Sequence, residues 1–246
     1  MITHCFTKMG PGFGAAEGGL GANLSTVVVA GHDPRNNDEA FVNQLFVLGN
    51  GGPGREGSDG WQTWCTPGVS GMMWYDSWEI DEFKYPIIIE KLEAQTDTAA
   101  AGRFRGAPQM EFVVRSRCRD LSIVLASDSR IIGPKGALGG EGGRTGSTYL
   151  LDVEGTPTRV SNFYQGEMGV GDRMRGLCTG GGGYGHPYER DPNMVLNDVL
   201  EGYVSLEQAQ EKYGVCLSGE VRKESLVIDY EKTTKTRDSM AAAAQS

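Results

Sequence analysis

Short apolar runs with a two-residue alternation dominate the first two-thirds of the chain, and they predict strands. Ser25-Thr-Val-Val-Val-Ala30 is β-branched, too short for a helix, and suited to a buried strand. Phe41-Val-Asn-Gln-Leu-Phe-Val-Leu48 predicts a second strand that carries Asn43 and Gln44 within it. Pro86–Glu93, Met110–Arg117, Leu121–Ala126 and Thr148–Val153 read as further strands, each bounded by turn residues. Leu226-Val-Ile-Asp-Tyr230 predicts one last short strand. The period changes only near the end. Asp191 before Pro192 is an N-cap followed by a first-turn proline, after which Met194, Val195, Val199 and Leu200 recur at helical spacing and Gly202 stops the helix. A second short helix runs from the cap at Ser205 to Gly214. Residues 231–246 are charged, then alanine-rich, and are expected to fray or to bind a neighbour. The fold class is therefore α+β and mainly β: short, mostly antiparallel strands, glycine-rich turns and two short C-terminal helices. The expected organisation is a β-rich domain over 1–215, followed by a strand and flexible tail over 216–246.

Glycine changes this picture most. Of 246 residues, 37 are glycine, twice the ~7% of ordinary proteins, without a collagen period. Gly180–Gly183 leaves four positions without a Cβ, so this backbone can lie flush against another surface. The run lacks the Gly-Lys-Ser/Thr ending of a phosphate loop, and His186 and two prolines separate it from the next helix. A close-packed backbone turn is the better reading, with Gly181 and Gly182 kept as candidates for substrate or interface contact.

A net charge of −9 disfavours nucleic acid as a partner. No signal peptide and no membrane-spanning apolar run is legible, which points to the cytoplasm. Cys5, Cys65, Cys118, Cys178 and Cys216 are isolated, as expected of buried thiols in a reducing compartment. His4, His32 and His186 are too scattered to suggest a metal cage.

Candidate chemistry lies in three places. Trp74–Pro86 sets Asp76, Glu79, Asp81 and Glu82 among large aromatics. Were Asp76–Ile80 a strand, Asp76, Trp78 and Ile80 would share one face. Asp76 and Glu79 are the leading acid/base candidates, since carboxylates among aromatics can have raised pKa values; an exposed acidic edge is the alternative. Arg103 and Arg105 either fork around an anion or pin their loop to the sheet. Asn43 and Gln44 either bond across strands or recognise an amide-like substrate.

Five blocks resemble the hydantoinase B/5-oxoprolinase family, which includes N-methylhydantoinase B subunits and the large subunits of acetone and acetophenone carboxylases. They are Tyr85-Pro86 with Ala101-Gly-Arg-Phe-Arg-Gly-Ala-Pro108, Ser127-Asp-Ser-Arg130, Pro134–Gly143, Gly169–Arg173, and Gly180–Pro192 with its following helices. The resemblance is strongest over 59–215. Asp59-Gly60 fits the family pattern, but Trp61-Gln-Thr-Trp-Cys-Thr66 lacks the histidine that relatives carry there. The resemblance implies the C-terminal portion of a B component, without the metal-ligand motifs of the N-terminal half, inactive alone. It also implies a hydantoinase A-like ATP-binding subunit, an N-terminal hydantoinase B-like subunit, and ATP and a divalent metal bound mainly by those partner chains. The expected function is a subunit of a heteromeric ATP-dependent cyclic-amide hydrolase. The alternatives are a ketone carboxylase of the acetone/acetophenone carboxylase type and a non-catalytic assembly subunit.

Overall fold

Among the described residues, antiparallel pairing of the alternating segments produces two large sheets and a separate two-stranded pair. The computed structural model describes residues 2–19, 27–45, 49–62, 77–127, 130–221 and 225–244. In chain order the sandwich strands are β1 (Val27–Asp33), β2 (Glu39–Leu45), β3 (Ile87–Ala94), β4 (Met110–Ser116), β5 (Leu121–Ala126), β6 (Ser147–Leu151), β7 (Pro157–Arg159), β8 (Phe163–Met168) and β9 (Arg173–Leu177). One sheet has the order β2-β1-β5-β8 and the other β3-β4-β9-β6-β7. Their inward residues form a single core: Val27, Val29, Leu45, Ile123 and Met168 from the first sheet, Ile87, Phe112, Val114 and Met174 from the second. Fully burying one such side chain contributes roughly 1.5–3 kcal/mol.

The outer face of the five-stranded sheet is a charge ladder. Glu90 on β3 accepts from Arg115 on β4 and Arg173 on β9. Glu111 on β4, its side chain only 5% exposed, accepts from Lys91 at 2.6 Å and from Arg175. Burial alone would raise the Glu111 pKa; the two cations outweigh it and hold the carboxyl below its ordinary value. That stabilisation is present above the unfolded-state pKa and is lost as pH falls through the lower folded value. Glu111→Gln is expected to cost on the order of 2 kcal/mol at neutral pH, since hydrogen bonds to charged groups contribute about 1.5–3 kcal/mol. Urea melts at pH 7 and pH 3 check this: the gap from the parent closes at the lower pH.

Among the described residues there are five α-helices: α1 (Ile2–Phe6), α2 (Trp78–Lys84), α3 (Pro192–Leu200), α4 (Leu206–Tyr213) and α5 (Tyr230–Ala244). A two-stranded pair, β10 (Leu217–Ser218) with β11 (Val227–Ile228), packs with α3 and α4. The caps work as the sequence predicts. Asp191 accepts from the Asn193 amide, Ser205 from the Gln208 amide, and Gly214 closes α4 at φ 64°.

Two expectations are corrected. Residues 78–84 form a helix, not a strand: Asp81 is buried one turn beyond Trp78, and Pro86 sets the helix limit at Tyr85. The tail is helical over Tyr230–Ala244. Alanine favours helix, Lys235 pairs with Glu231 one turn earlier, and Arg237 donates to the carbonyls of Tyr213 and Arg190.

The glycine run passes through a layer made almost entirely of backbone. From Gly180 to Gly185, successive amides donate to the carbonyls of Arg144, Ala107, Glu17, Glu141, Phe104 and Ala137. The first five acceptors repeat by threes: the 137–144 segment, then 104–107, then Glu17, then the first two segments again. Three residues per turn is the period of an extended polyproline-II-type strand, which has no internal hydrogen bonds and offers every amide to a neighbour. Neighbours come so close that a Cβ on Gly181 would lie under 3.0 Å from the Gly52 carbonyl. Gly106 meets the Gly181 carbonyl in the same way.

Candidate functional site

This layer fixes a buried quartet of charges. Asp59 comes from the second glycine-rich loop, Arg105 from the turn before β4, Arg190 from the end of the 3-10 turn Pro187–Glu189, and Asp198 from α3. Arg190, 1% exposed, forks onto Asp59 with both Nη–O distances at 2.7 Å, and reaches Asp198 Oδ2 at 2.8 Å. Arg105 Nε donates to Asp198 Oδ1 at 2.8 Å, and the Arg105 amide donates to Asp59 Oδ1 at 2.9 Å. Two cations and two anions balance, and the Tyr203 ring lies 4.6 Å from the Arg105 guanidinium. Burial lowers the Arg190 pKa, but its bonds to Asp59 and the charge of Asp198 outweigh this and raise it. The hydrogen bonds of the four side chains are spent largely on one another.

The second site is an open cleft of about 770 Å³ beside α2, lined by Asp33, Arg35, Glu79, Glu82, Phe83, Lys84, Ile88 and Arg117. Arg35 forks onto Asp33, with Nη2–Oδ2 at 2.9 Å, and its Nη1 donates to the Glu82 carbonyl. The bonded guanidinium holds the Asp33 carboxyl below the usual carboxylate range. The Ser77 hydroxyl, 2.7 Å away, lowers Glu79 in the same direction. The sequence-based expectation of a raised pKa is therefore reversed at Glu79. Both carboxylates are ionised at neutral pH and unsuited to donate a proton, and Asp33 is already paired with Arg35.

The sequence-marked residues fall apart in space. Glu79 lies in the cleft and Asp76 lies outside the described residues. Asn43 and Gln44 are on β2, opposite Val29 and Val28, and so point to opposite faces. Asn43 is about 13 Å and Gln44 about 17 Å along the strand from Glu39, which pairs with Asp33 at the cleft. Arg105 is in the quartet, while Arg103 is exposed, 3.6 Å from Glu56 and over the Phe104 ring. Gly181 and Gly182 are buried, with their amides committed to Ala107 and Glu17. Away from both sites, exposed His32 Nδ1 lies 2.6 Å from Asp120 Oδ2, and that hydrogen bond raises the His32 pKa.

Sequence reasoning gives no role to Asp198 or Arg190. A signal is nonetheless present: Val195, Asp198 and Val199 fall on one helical face, so the aspartate has to be buried and partnered.

A family profile described as Hydantoinase B/oxoprolinase matches residues 1–187. The chain belongs to the hydantoinase B/oxoprolinase family. The match starts well before the motif-rich part and ends just short of Arg190 and Asp198. The beta subunit of caprolactamase from Pseudomonas jessenii is 30% identical over 203 residues, 80% of this chain and 35% of that protein. A putative D-/L-hydantoinase B subunit from Pseudomonas sp. (strain NS671) is 30% identical over 224 residues, 87% of this chain and 35% of that one. The chain thus spans about a third of the length of these relatives. Among solved structures, ATP-dependent caprolactamase from Pseudomonas jessenii superposes with a TM-score of 0.74 at 26% identity, covering 94% of this chain and 40% of that one. Acetone carboxylase also gives 0.74, at 16% identity, covering 92% and 34%, which shows a shared fold. Among the described residues no helix is long and apolar enough to cross a membrane.

Proposed function

We propose that this chain is a cytoplasmic component of a heteromeric ATP-dependent cyclic-amide hydrolase, supplying the C-terminal part of its B component and inactive alone. The observation that carries this reading is the 30% identity, over 80% of the chain, with the beta subunit of a caprolactamase. Family membership over residues 1–187 supports it. The metal expected of such an enzyme finds no matching donor set among the described residues. Among the described residues no group of three His, Cys, Asp or Glu side chains converges, and Asp33 and Glu79 are occupied by Arg35 and Ser77. We therefore assign ATP to a hydantoinase A-like subunit and the divalent ion to an N-terminal hydantoinase B-like polypeptide.

The chemistry sets the division of labour. An amide carbonyl is a poor electrophile, and phosphorylating its oxygen from ATP makes the carbon open to water. This chain supplies scaffold, one cavity wall through the Asp33–Arg35–Glu79 cleft, and partner contacts. The hydrolase is preferred over a ketone carboxylase because the identity is higher to the amide-cleaving relatives, while the carboxylase shares the fold.

Reconstitution with both partners tests the reading. The parent complex is expected to open a lactam or hydantoin ring with ATP and without bicarbonate. Glu79→Gln is expected to lower kcat/KM by about tenfold, a loss of about 1.4 kcal/mol of transition-state stabilisation. Bicarbonate dependence would move the assignment to the carboxylase. Normal turnover by Asp76→Ala, Glu79→Ala and Arg103→Ala, with assembly intact, would leave only the non-catalytic assembly role.

A further inference from the structure

Tyr213, 2% exposed, carries a hydroxyl that has no hydrogen-bond partner among the described residues. Burying such a group unbonded costs free energy, so an unbonded phenol in a packed region calls for an explanation. Burial pushes its pKa up, and it stays a protonated donor at any physiological pH. Tyr213 also lines a recess of about 80 Å³, set between residues 97–101, residues 141–144 and α4. A cavity of ~150 Å³ takes a benzene ring and one water needs ~10–15 Å³, so this recess suits a molecule of about four heavy atoms. It shares no lining residue with the cleft beside α2.

The charged groups on its lining are Asp97, Glu141, Arg144 and Lys212, which balance, so selection falls to whatever donors or acceptors are unspent. Lys212 pairs with Glu141, and an Asp97 oxygen accepts from the Ser205 amide. Thr98 Oγ1 donates to the Gln95 carbonyl and accepts from the Gln109 amide. Arg144 is different. One Nη donates to the Asp97 carbonyl at 3.1 Å, and among the described residues its guanidinium has no carboxylate partner. A neutral O–H and a guanidinium remain, both donors, and they match an acceptor that carries negative charge. Ala100, Ala101 and Val204, all buried, give the recess an apolar wall for a carbon substituent. We propose that this recess binds a short-chain carboxylate of acetate size, its oxygens accepting from the Tyr213 hydroxyl and the Arg144 guanidinium. An inorganic anion meets the same donors but has no carbon to place against the wall. The proposal does not depend on the reading of this chain as part of a hydrolase complex.

The test titrates the full chain with sodium acetate, against sodium chloride at matched ionic strength, and follows the backbone amides by NMR. The parent is expected to show saturable shifts clustered at 97–101, 141–144 and α4. Tyr213→Phe is expected to weaken acetate binding at least tenfold. Without ligand it is expected to melt at or above the parent's temperature, because it deletes an unbonded buried donor. Arg144→Ala, at an exposed position, is expected to weaken binding in the same direction with an unaltered melting temperature. Benzoate, too large for the recess, is expected to give no shifts there. A parent without saturable shifts overturns the proposal, as do equal shifts with chloride, which mark an adventitious ion only. Acetate binding by Tyr213→Phe as tight as the parent's also overturns it. A Tyr213→Phe melt well below the parent's shows that the hydroxyl is bonded within the fold, with the same consequence. Phosphate bound as tightly as acetate makes the recess a general anion site and overturns the carboxylate assignment. Each of these failures leaves the reading of this chain as part of a complex standing.

Discussion

Arg190→Met is expected to destabilise the chain by about 3–5 kcal/mol, because removing one partner of a buried ion pair leaves uncompensated charge. Asp198 would then keep the Arg105 Nε bond at 2.8 Å, while Asp59 would keep the Arg105 backbone amide at 2.9 Å and lose its guanidinium partner. The Arg103 carbonyl would also lose its donor. Against a typical total of roughly 5–15 kcal/mol, this loss is a large fraction of the native state's margin. Urea unfolding followed by tryptophan fluorescence measures it as a drop in midpoint. Arg190→Lys is expected to recover less than half, since an ammonium cannot fork onto Asp59 while also reaching Asp198. A midpoint within error of the parent for Arg190→Met would show that the quartet contributes nothing to stability.

Gly181→Ala is expected to be comparably severe, at about 3 kcal/mol or more, beyond the usual ~1–3 kcal/mol of overpacking. The new methyl would meet the Gly52 carbonyl, its carbon and the Pro53 nitrogen, all backbone atoms with no rotamer to escape into. The Gly52 segment is itself tied down, its amide donating to the Trp61 carbonyl and its carbonyl accepting from Ala107. Gly169→Ala is the control. Its nearest neighbour is the Asp172 carboxylate at 3.5 Å, so a change of no more than ~0.5 kcal/mol is expected. Matched thermal melts decide between a contact that matters and a general intolerance of alanine.

The sequence reads best where local physics decides the outcome. β1, β4 and β5 are β-branched and apolar on the buried face, and α3 and α4 carry their own caps, so each is legible from a few residues. β8 and β9 escape such a reading because Tyr164, Gln165 and Glu167, and Arg173, Arg175 and Gly176, dilute the apolar signal; pairing with β5 and β4 makes them strands. α2 is misread since the alternation of Trp78 and Ile80 with Ser77 and Glu79 suggests a strand, whereas the burial of Asp81 and the Ile89 amide bonded to Glu82 select a helix. The glycine run reads correctly as close-packed backbone. Its three-residue bonding period is invisible in sequence, because acceptors as distant as Glu17 define it. The candidate site is legible at Glu79 alone. Asp33 and Arg35 join it through the β1–β2 turn, a proximity no local pattern encodes.

The glycine layer also has a calorimetric consequence. Unfolding it wets mostly peptide groups, and hydrating polar surface lowers the heat capacity where hydrating apolar surface raises it. The chain should therefore unfold with an increment below the usual ~12–15 cal/mol/K per residue, and its stability should vary unusually little between cold and warm conditions.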